Sequence, residues 1–115
     1  MDRPKIVDIS GRILDELGIE GVARLSYRNF IKKLAKLWKE GRVIVKFRAP
    51  IKSVLELLRE CGIRYYKVTD YEAYWIRVKN EDTLVKVYSI IWGLNADLLY
   101  EIISKLKKYE VLYVL

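Results

Sequence analysis

The sequence predicts an α+β domain in which two N-terminal helices precede a β-α-β-β-α-β, or ferredoxin-like, antiparallel sheet packed on helices. Three observations predict this class. Apolar residues recur at helical spacing up to residue 40, runs of β-branched and aromatic residues alternate with helical segments after it, and no linker interrupts the 115 residues. We expect a single domain, residues 1–115, with the helices in 1–40 and the sheet-containing core in 41–115.

Two amphipathic helices are predicted first. Residues 6–17 repeat apolar side chains every three or four positions, and Gly18 is well placed to end this helix. Ser26 is a favourable N-cap for a second helix that extends to Glu40. The predicted inner stripe of that second helix is Phe30, Ile31, Leu34, Leu37 and Trp38. Each helix should therefore bury one face against the rest of the domain.

A strand and a further helix are predicted next. Residues 43–47 are apolar and β-branched, interrupted only by Lys46, which favours a central strand. Pro50 suits the first turn of the following helix, and Gly62 ends it. The single cysteine, Cys61, lies at the end of this helical run, and we expect it to be a small core residue rather than a reactive thiol.

A β-hairpin is the strongest local pattern, because two runs rich in β-branched and aromatic residues flank a polar turn at residues 70–71. In this register Tyr66 lies opposite Trp75, and Arg64 lies opposite Arg77. The other face of the hairpin is apolar and consists of Ile63, Tyr65, Ile76 and Val78. The aromatic and cationic face is either open to a ligand or covered by the two N-terminal helices.

The C-terminal third is predicted to contain a nearly all-apolar helix that begins at residues 81–83 and must be buried on most sides. Gly93 breaks this helix, and Asn95 is a suitable cap for its continuation. Residues 111–115 predict a short apolar strand that pairs inside the sheet or across a dimer edge.

The positive charge is concentrated in one third of the chain. The formal net charge is +7, and residues 21–55 carry ten basic side chains against one acidic side chain, Glu40. Four of these basic residues recur every three or four positions along one side of the second helix: Arg28, Lys32, Lys36 and Lys39. Such a distribution indicates a polyanion as partner, although a solvated lysine-rich face is the simpler interpretation.

The absence of histidine excludes a His general base, a Ser-His or Cys-His nucleophile pair and a His-containing metal site. No glycine-rich phosphate loop is present either. We therefore expect no cofactor and no catalytic residue. The composition, rich in Lys, Glu, Ile and Tyr and without Gln, predicts a hyperthermophilic, archaeal source. The lack of a signal peptide or a long apolar run predicts a cytoplasmic protein without a membrane partner.

A family resemblance rests on residues 34–41, LAKLWKEG, followed by a strand. This stretch resembles the LAGLIDADG helix of homing endonucleases, and the similarity extends over residues 31–92. The resemblance implies a saddle-shaped sheet as an alternative fold, DNA binding in the major groove and a homodimer. It also implies that Glu40 is the acid that binds a divalent metal.

The first functional hypothesis is a small, non-catalytic nucleic-acid-binding protein. The helix face would contact the phosphates of DNA or RNA, and the hairpin would contact bases or a groove. The candidate nucleic-acid-binding residues are Arg28, Lys32, Lys36, Lys39, Arg42, Arg64, Tyr66, Trp75 and Arg77. The alternatives are a protein-interaction or structural module, acting as a homodimer or a subunit, and a metal-dependent homing-type endonuclease that uses Glu40.

Overall fold

A computed structural model describes residues 9–40, 43–48, 52–68 and 73–108 of the chain. Within these ranges five helices and three strands follow one another. In chain order they are α1 (Ile9–Glu16), α2 (Gly21–Glu40), β1 (Val43–Arg48), α3 (Lys52–Glu60), β2 (Tyr66–Lys67), β3 (Ala73–Val78), α4 (Glu81–Trp92) and α5 (Ala96–Leu106). The α+β class predicted from the sequence is therefore confirmed.

The described strands form one antiparallel sheet in the order β1-β3-β2. Tyr66 pairs with Trp75, so the predicted hairpin register is confirmed. The predicted β-α-β-β-α-β arrangement is not confirmed. Gly93, with a φ of 63°, ends α4 and the separate helix α5 follows, as predicted, but the described residues hold only three strands. The predicted strand at residues 111–115 lies outside the described residues.

Strand β1 lies at an edge of the described sheet, whereas the sequence predicted a central strand. Its burial alternates: Val43, Val45 and Phe47 are buried, and the side chains between them are exposed. Alternation of this kind belongs to a strand with one solvated face. Whether β1 is central stays a prediction, because the strand predicted at residues 111–115 lies outside the described residues. The apolar Ile44 lies on the exposed face and makes the run look uniformly buried in the sequence.

The core lies between the inner face of the sheet and helices α2 and α4. The predicted stripe of α2 is buried except at Trp38, which is half-buried and donates its indole N–H to Glu81 Oε1. Helix α4 contacts α2, α3, α5 and β3. The prediction that α4 is buried on most sides is therefore confirmed within the domain itself.

The ends of the helices agree only partly with the predicted signals. Asn95 accepts a hydrogen bond from the Leu98 amide at 3.0 Å and caps α5 as predicted. Helix α2, however, begins at Gly21, so Ser26 lies inside it rather than at its N-cap. The predicted core position of Cys61 is also wrong. Its amide bonds the Leu57 carbonyl beyond the last residue of α3, and its side chain is exposed.

Arg24 joins α2 to α1 and to the connector between them. Its guanidinium donates to Asp15 Oδ1 at 2.8 Å, to the Ile19 carbonyl at 3.0 Å and to the Gly11 carbonyl at 3.2 Å. These acceptors lie at three different points of the chain. One side chain therefore positions the first helix on the second.

Replacing Arg24 by methionine should lower the free energy of unfolding by about 1–2 kcal/mol, because the carbonyl hydrogen bonds are lost while the apolar stem remains. Urea unfolding followed by circular dichroism measures the change. The matched control is Arg12→Met, because the one ion pair of Arg12 within the described ranges is the exposed pair with Glu16 at 3.7 Å. Equal losses in the two variants would show that Arg24 has no special role.

Candidate functional site

A groove of about 750 Å³ lies between α2, the strand β1 and the C-terminal half of α4. Its cationic lining consists of Lys32, Lys33, Lys36 and Lys46. Lys36 lies four residues after Lys32 and three after Lys33, so the three α2 lysines lie on one side of that helix. Lys46 reaches the groove from β1, where strand alternation turns it away from the core.

Among the residues that the structure describes, none of those lining this groove carries a carboxylate. Among the described residues, none of the ion pairs involves one of its four lysines. Like charges three or four residues apart on a helix repel one another by a few tenths of a kcal/mol per pair. An anion in the groove would relieve that repulsion. The arrangement is therefore suited to binding negative charge.

The groove also has an aromatic part, formed by Tyr88 and Trp92 of α4. Tyr88 is buried, meets Phe30 edge to face at a ring separation of 5.3 Å and lies 4.5 Å from the ring of Trp92. Burial raises the pKa of Tyr88 to about 12, because it disfavours the charged phenolate. Trp92 remains 39% exposed. The groove thus combines cationic groups with an accessible apolar surface.

A second surface is the solvent face of the sheet. Tyr66 and Trp75 stack there with ring centroids 4.3 Å apart and an interplanar angle of 19°. Tyr66 is 47% exposed. Arg77 is exposed two residues after Trp75 on the same strand and the same face. Of the two alternatives that the sequence left open, the open face is observed and a face covered by the N-terminal helices is not.

The predicted site residues divide into separate places. Lys32 and Lys36 line the groove, and Lys39 is exposed on α2 outside its lining. Arg28 is half-buried and is also not part of the lining. Arg42 lies outside the described residues. Tyr66, Trp75 and Arg77 belong to the sheet surface rather than to the groove. Arg64 precedes β2 and lies in none of the described strands, so its predicted position opposite Arg77 is not observed.

Two groove lysines were absent from the predicted site. They are Lys33, which follows Lys32 directly on α2, and Lys46, which the sequence indicated only as an interruption of the apolar run of β1. The alternating pattern of β1 contains the signal for Lys46, because a strand with one solvated face places every second side chain outside the core. Its approach to α2 depends on tertiary packing and has no local signal.

Comparison with known proteins finds one family. A family model described as Helicobacter outer membrane protein matches residues 50–114, which is more than half of the chain. No curated protein and no solved structure matches the chain. The matched range contains α3 to α5 and the β2-β3 hairpin, so Tyr88 and Trp92 fall inside it and the groove lysines precede it. None of the described helices is long and apolar enough to cross a membrane.

This match overturns the resemblance to homing endonucleases. Leu34 and Leu37, which carried that resemblance, belong to the ordinary buried stripe of α2, and Glu40 is exposed at the end of the helix. The same match shows that three functional predictions are wrong: the nucleic-acid-binding function, the endonuclease alternative and the nucleic-acid partner. It also overturns the predicted hyperthermophilic archaeal source and the predicted cytoplasmic location without a membrane partner. Charge and composition are shared by many classes of protein and could not separate them. The chain belongs to the Helicobacter outer membrane protein family.

Proposed function

We propose that this protein binds anionic lipid at a membrane surface, with the lysine groove holding the negatively charged headgroup. The observation that carries the proposal is a groove of about 750 Å³ whose described lining combines four lysines and an accessible tryptophan and contains no carboxylate. The family description supports the outer membrane as the place where such a lipid would be met. The individual lysine contacts remain predictions.

Electrostatic attraction is the first part of the binding. Each lysine or arginine near an anionic membrane contributes about 1 kcal/mol, and the attraction falls off within a Debye length. Lys32 and Lys36 are exposed on one side of α2, and Lys46 is exposed on the neighbouring strand. A phosphate between these elements would neutralise charge from both walls of the groove. Binding should therefore weaken as salt concentration rises.

Apolar contact is the second part. Val22 is 95% exposed and Leu25 is 66% exposed, both in the first turns of α2. Val22 precedes the groove residue Ser26 by four positions, so it lies on the same side of the helix, beyond the end of the groove. Trp92 borders the same end, and tryptophan favours the boundary between headgroups and acyl chains. Charge and apolar contact together supply the two signals that stable membrane attachment needs.

Vesicle flotation tests this function. The wild-type protein should float with vesicles of phosphatidylcholine that contain phosphatidylglycerol and should stay unbound with pure phosphatidylcholine. Replacing Lys32 and Lys36 by glutamine should weaken binding about tenfold to thirtyfold, since each lysine supplies about 1 kcal/mol. Near-ultraviolet circular dichroism verifies that the variant is folded.

The matched control replaces Lys39 and Lys86 by glutamine. Both are exposed lysines outside the groove lining, so the formal charge falls by the same amount. This variant should bind within about threefold of the wild type, because charges away from the contact are screened by salt. Equal weakening in the two double variants, or equal wild-type binding to charged and uncharged vesicles, would refute the groove as the lipid site.

A further inference from the structure

We propose that the outer edge of β2 binds an acidic peptide segment in extended conformation. The segment adds a strand to the sheet and places a carboxylate in the depression that Arg59 and Arg64 line. This site is separate from the lysine groove and does not depend on lipid binding. Two features carry it: backbone groups of β2 that point away from the sheet, and two arginines at the start of the same edge.

The hydrogen bonds of the hairpin leave backbone groups on the outer edge of β2. The Val68 amide donates to the Ala73 carbonyl at 2.9 Å. Tyr66 pairs with Trp75 in the same register. In an antiparallel pair every second residue turns its N–H and C=O to the partner strand, so Lys67 turns both groups the other way. Among the described strands β2 pairs only with β3, so the Lys67 amide and carbonyl face an open edge there.

A depression of about 560 Å³ lies at the start of this edge. Its described lining consists of residues 62–66, on the segment that leads into β2, and Arg59 of α3. Arg59 Nη2 donates to the Tyr65 hydroxyl at 3.1 Å, which holds this guanidinium at the wall. Arg64 is exposed. Guanidinium groups hold carboxylates through charge-assisted hydrogen bonds, so the depression is suited to an acidic side chain.

The two sides of this edge differ in character. Lys67 pairs with Tyr74, whose ring meets that of Tyr65, and Tyr65 in turn holds Arg59, so this side is cationic. Tyr66 and its neighbour Val68 lie on the other side, where they are 47% and 40% exposed. The side chains of an added strand alternate in the same way. The matching partner therefore alternates acidic residues, which meet the cations, with apolar residues.

Charge also excludes a second copy of this chain as the occupant of the edge. Two copies paired through the same strand would bring Lys67 and its neighbouring arginines against their own counterparts, because such an interface is self-complementary. The formal net charge of +7 adds repulsion between the copies. An acidic strand forms the same backbone hydrogen bonds and gains charge pairing.

Isothermal titration with a capped peptide of alternating glutamate and valine, about eight residues long, tests this site. The same peptide with glutamine in place of glutamate should bind at least about tenfold more weakly, because it loses the hydrogen bonds between charged groups. The residue opposite Lys67 lies on the cationic side, so glutamate donates the backbone hydrogen bond to β2. N-methylation of the glutamates should therefore weaken binding about tenfold or more, whereas N-methylation of the valines should change it less than about threefold.

Variants of the protein locate the binding. Arg64→Gln should weaken binding of the glutamate peptide about tenfold and leave the glutamine peptide unaffected. Arg12→Gln removes the same charge from exposed α1 and should leave binding unchanged. The double replacement of Lys32 and Lys36 by glutamine should also retain binding, because both lie in the groove. Circular dichroism verifies that each variant is folded.

Four outcomes would overturn an edge site for acidic peptides. The first is that the glutamate peptide does not bind, and the second is that the glutamine peptide binds equally well. The third is equal binding of the two N-methylated peptides, since this would show general attraction to positive charge without strand pairing. The fourth is that Arg12→Gln or the lysine double variant weakens binding as much as Arg64→Gln.

Discussion

Replacing Phe30 by alanine should lower the free energy of unfolding by about 3–5 kcal/mol, the largest loss that we expect from a single core substitution in this protein. Phe30 is fully buried in α2, and its ring meets Tyr88 of α4 edge to face. Truncation removes apolar area, leaves a cavity and deletes a favourable aromatic contact. The change removes packing between the two helices that cover the sheet.

Urea unfolding of Phe30→Ala, followed by circular dichroism, measures this loss. Val22→Ala is the matched control, because Val22 belongs to the same helix and is almost fully exposed. Its effect should stay within about 0.5 kcal/mol. A loss below about 1 kcal/mol for Phe30→Ala would show that α2 and α4 do not share a tightly packed core.

The same contact links the core to the lysine groove, because Tyr88 lies behind Phe30 and also lines the groove. Loosening the contact should let the Tyr88 and Trp92 rings move. At a temperature where Phe30→Ala is still folded, its affinity for anionic vesicles should fall. The electrostatic part of lipid binding should remain, because the four lysines lie on α2 and β1 rather than behind Phe30.

Local patterns predicted the hairpin correctly, since register in a hairpin follows from neighbouring residues and turn position. The pairing of Tyr66 with Trp75 needed no knowledge of the rest of the chain. The buried stripe of α2 could also be predicted from the sequence, because helical periodicity and burial are directly related. The exposure of the aromatic face could not be predicted from the sequence, since it depends on where α1 and α2 pack.

Tertiary arrangement decides the features that local patterns leave open. Whether β1 is central or at an edge depends on which strands flank it, and a run of six residues does not contain that information. The groove unites α2 with β1 and α4 through folding alone, so Lys46 could not be assigned to it from spacing. Ser26 had the chemistry of a cap, but Gly21, with a φ of 67°, allows the chain to turn into α2 earlier.

Above pH 10 the protein should lose stability through Tyr88. Burial raises the pKa of this phenol from 10.0 to about 12 in the folded protein, so the folded state keeps its proton where the unfolded chain releases it. The contribution is fully present below pH 10 and is lost as pH rises through about 12. A shift of this size corresponds to a loss of about 2–3 kcal/mol over that interval.

The difference between wild type and Tyr88→Phe isolates this effect, because deprotonation of lysines and of other tyrosines affects both proteins alike. Tyr88→Phe should be less sensitive to pH between 10 and 12 in urea unfolding. The pKa of Tyr100 is also raised, by desolvation and by its hydrogen bond to Asp82, but its side chain is exposed, so Tyr100→Phe should retain the wild-type slope. If Tyr88→Phe also retained that slope, the Tyr88 phenol of the wild-type protein would have to ionise in the folded state as easily as in the unfolded chain. The groove would then have to admit water to its aromatic wall.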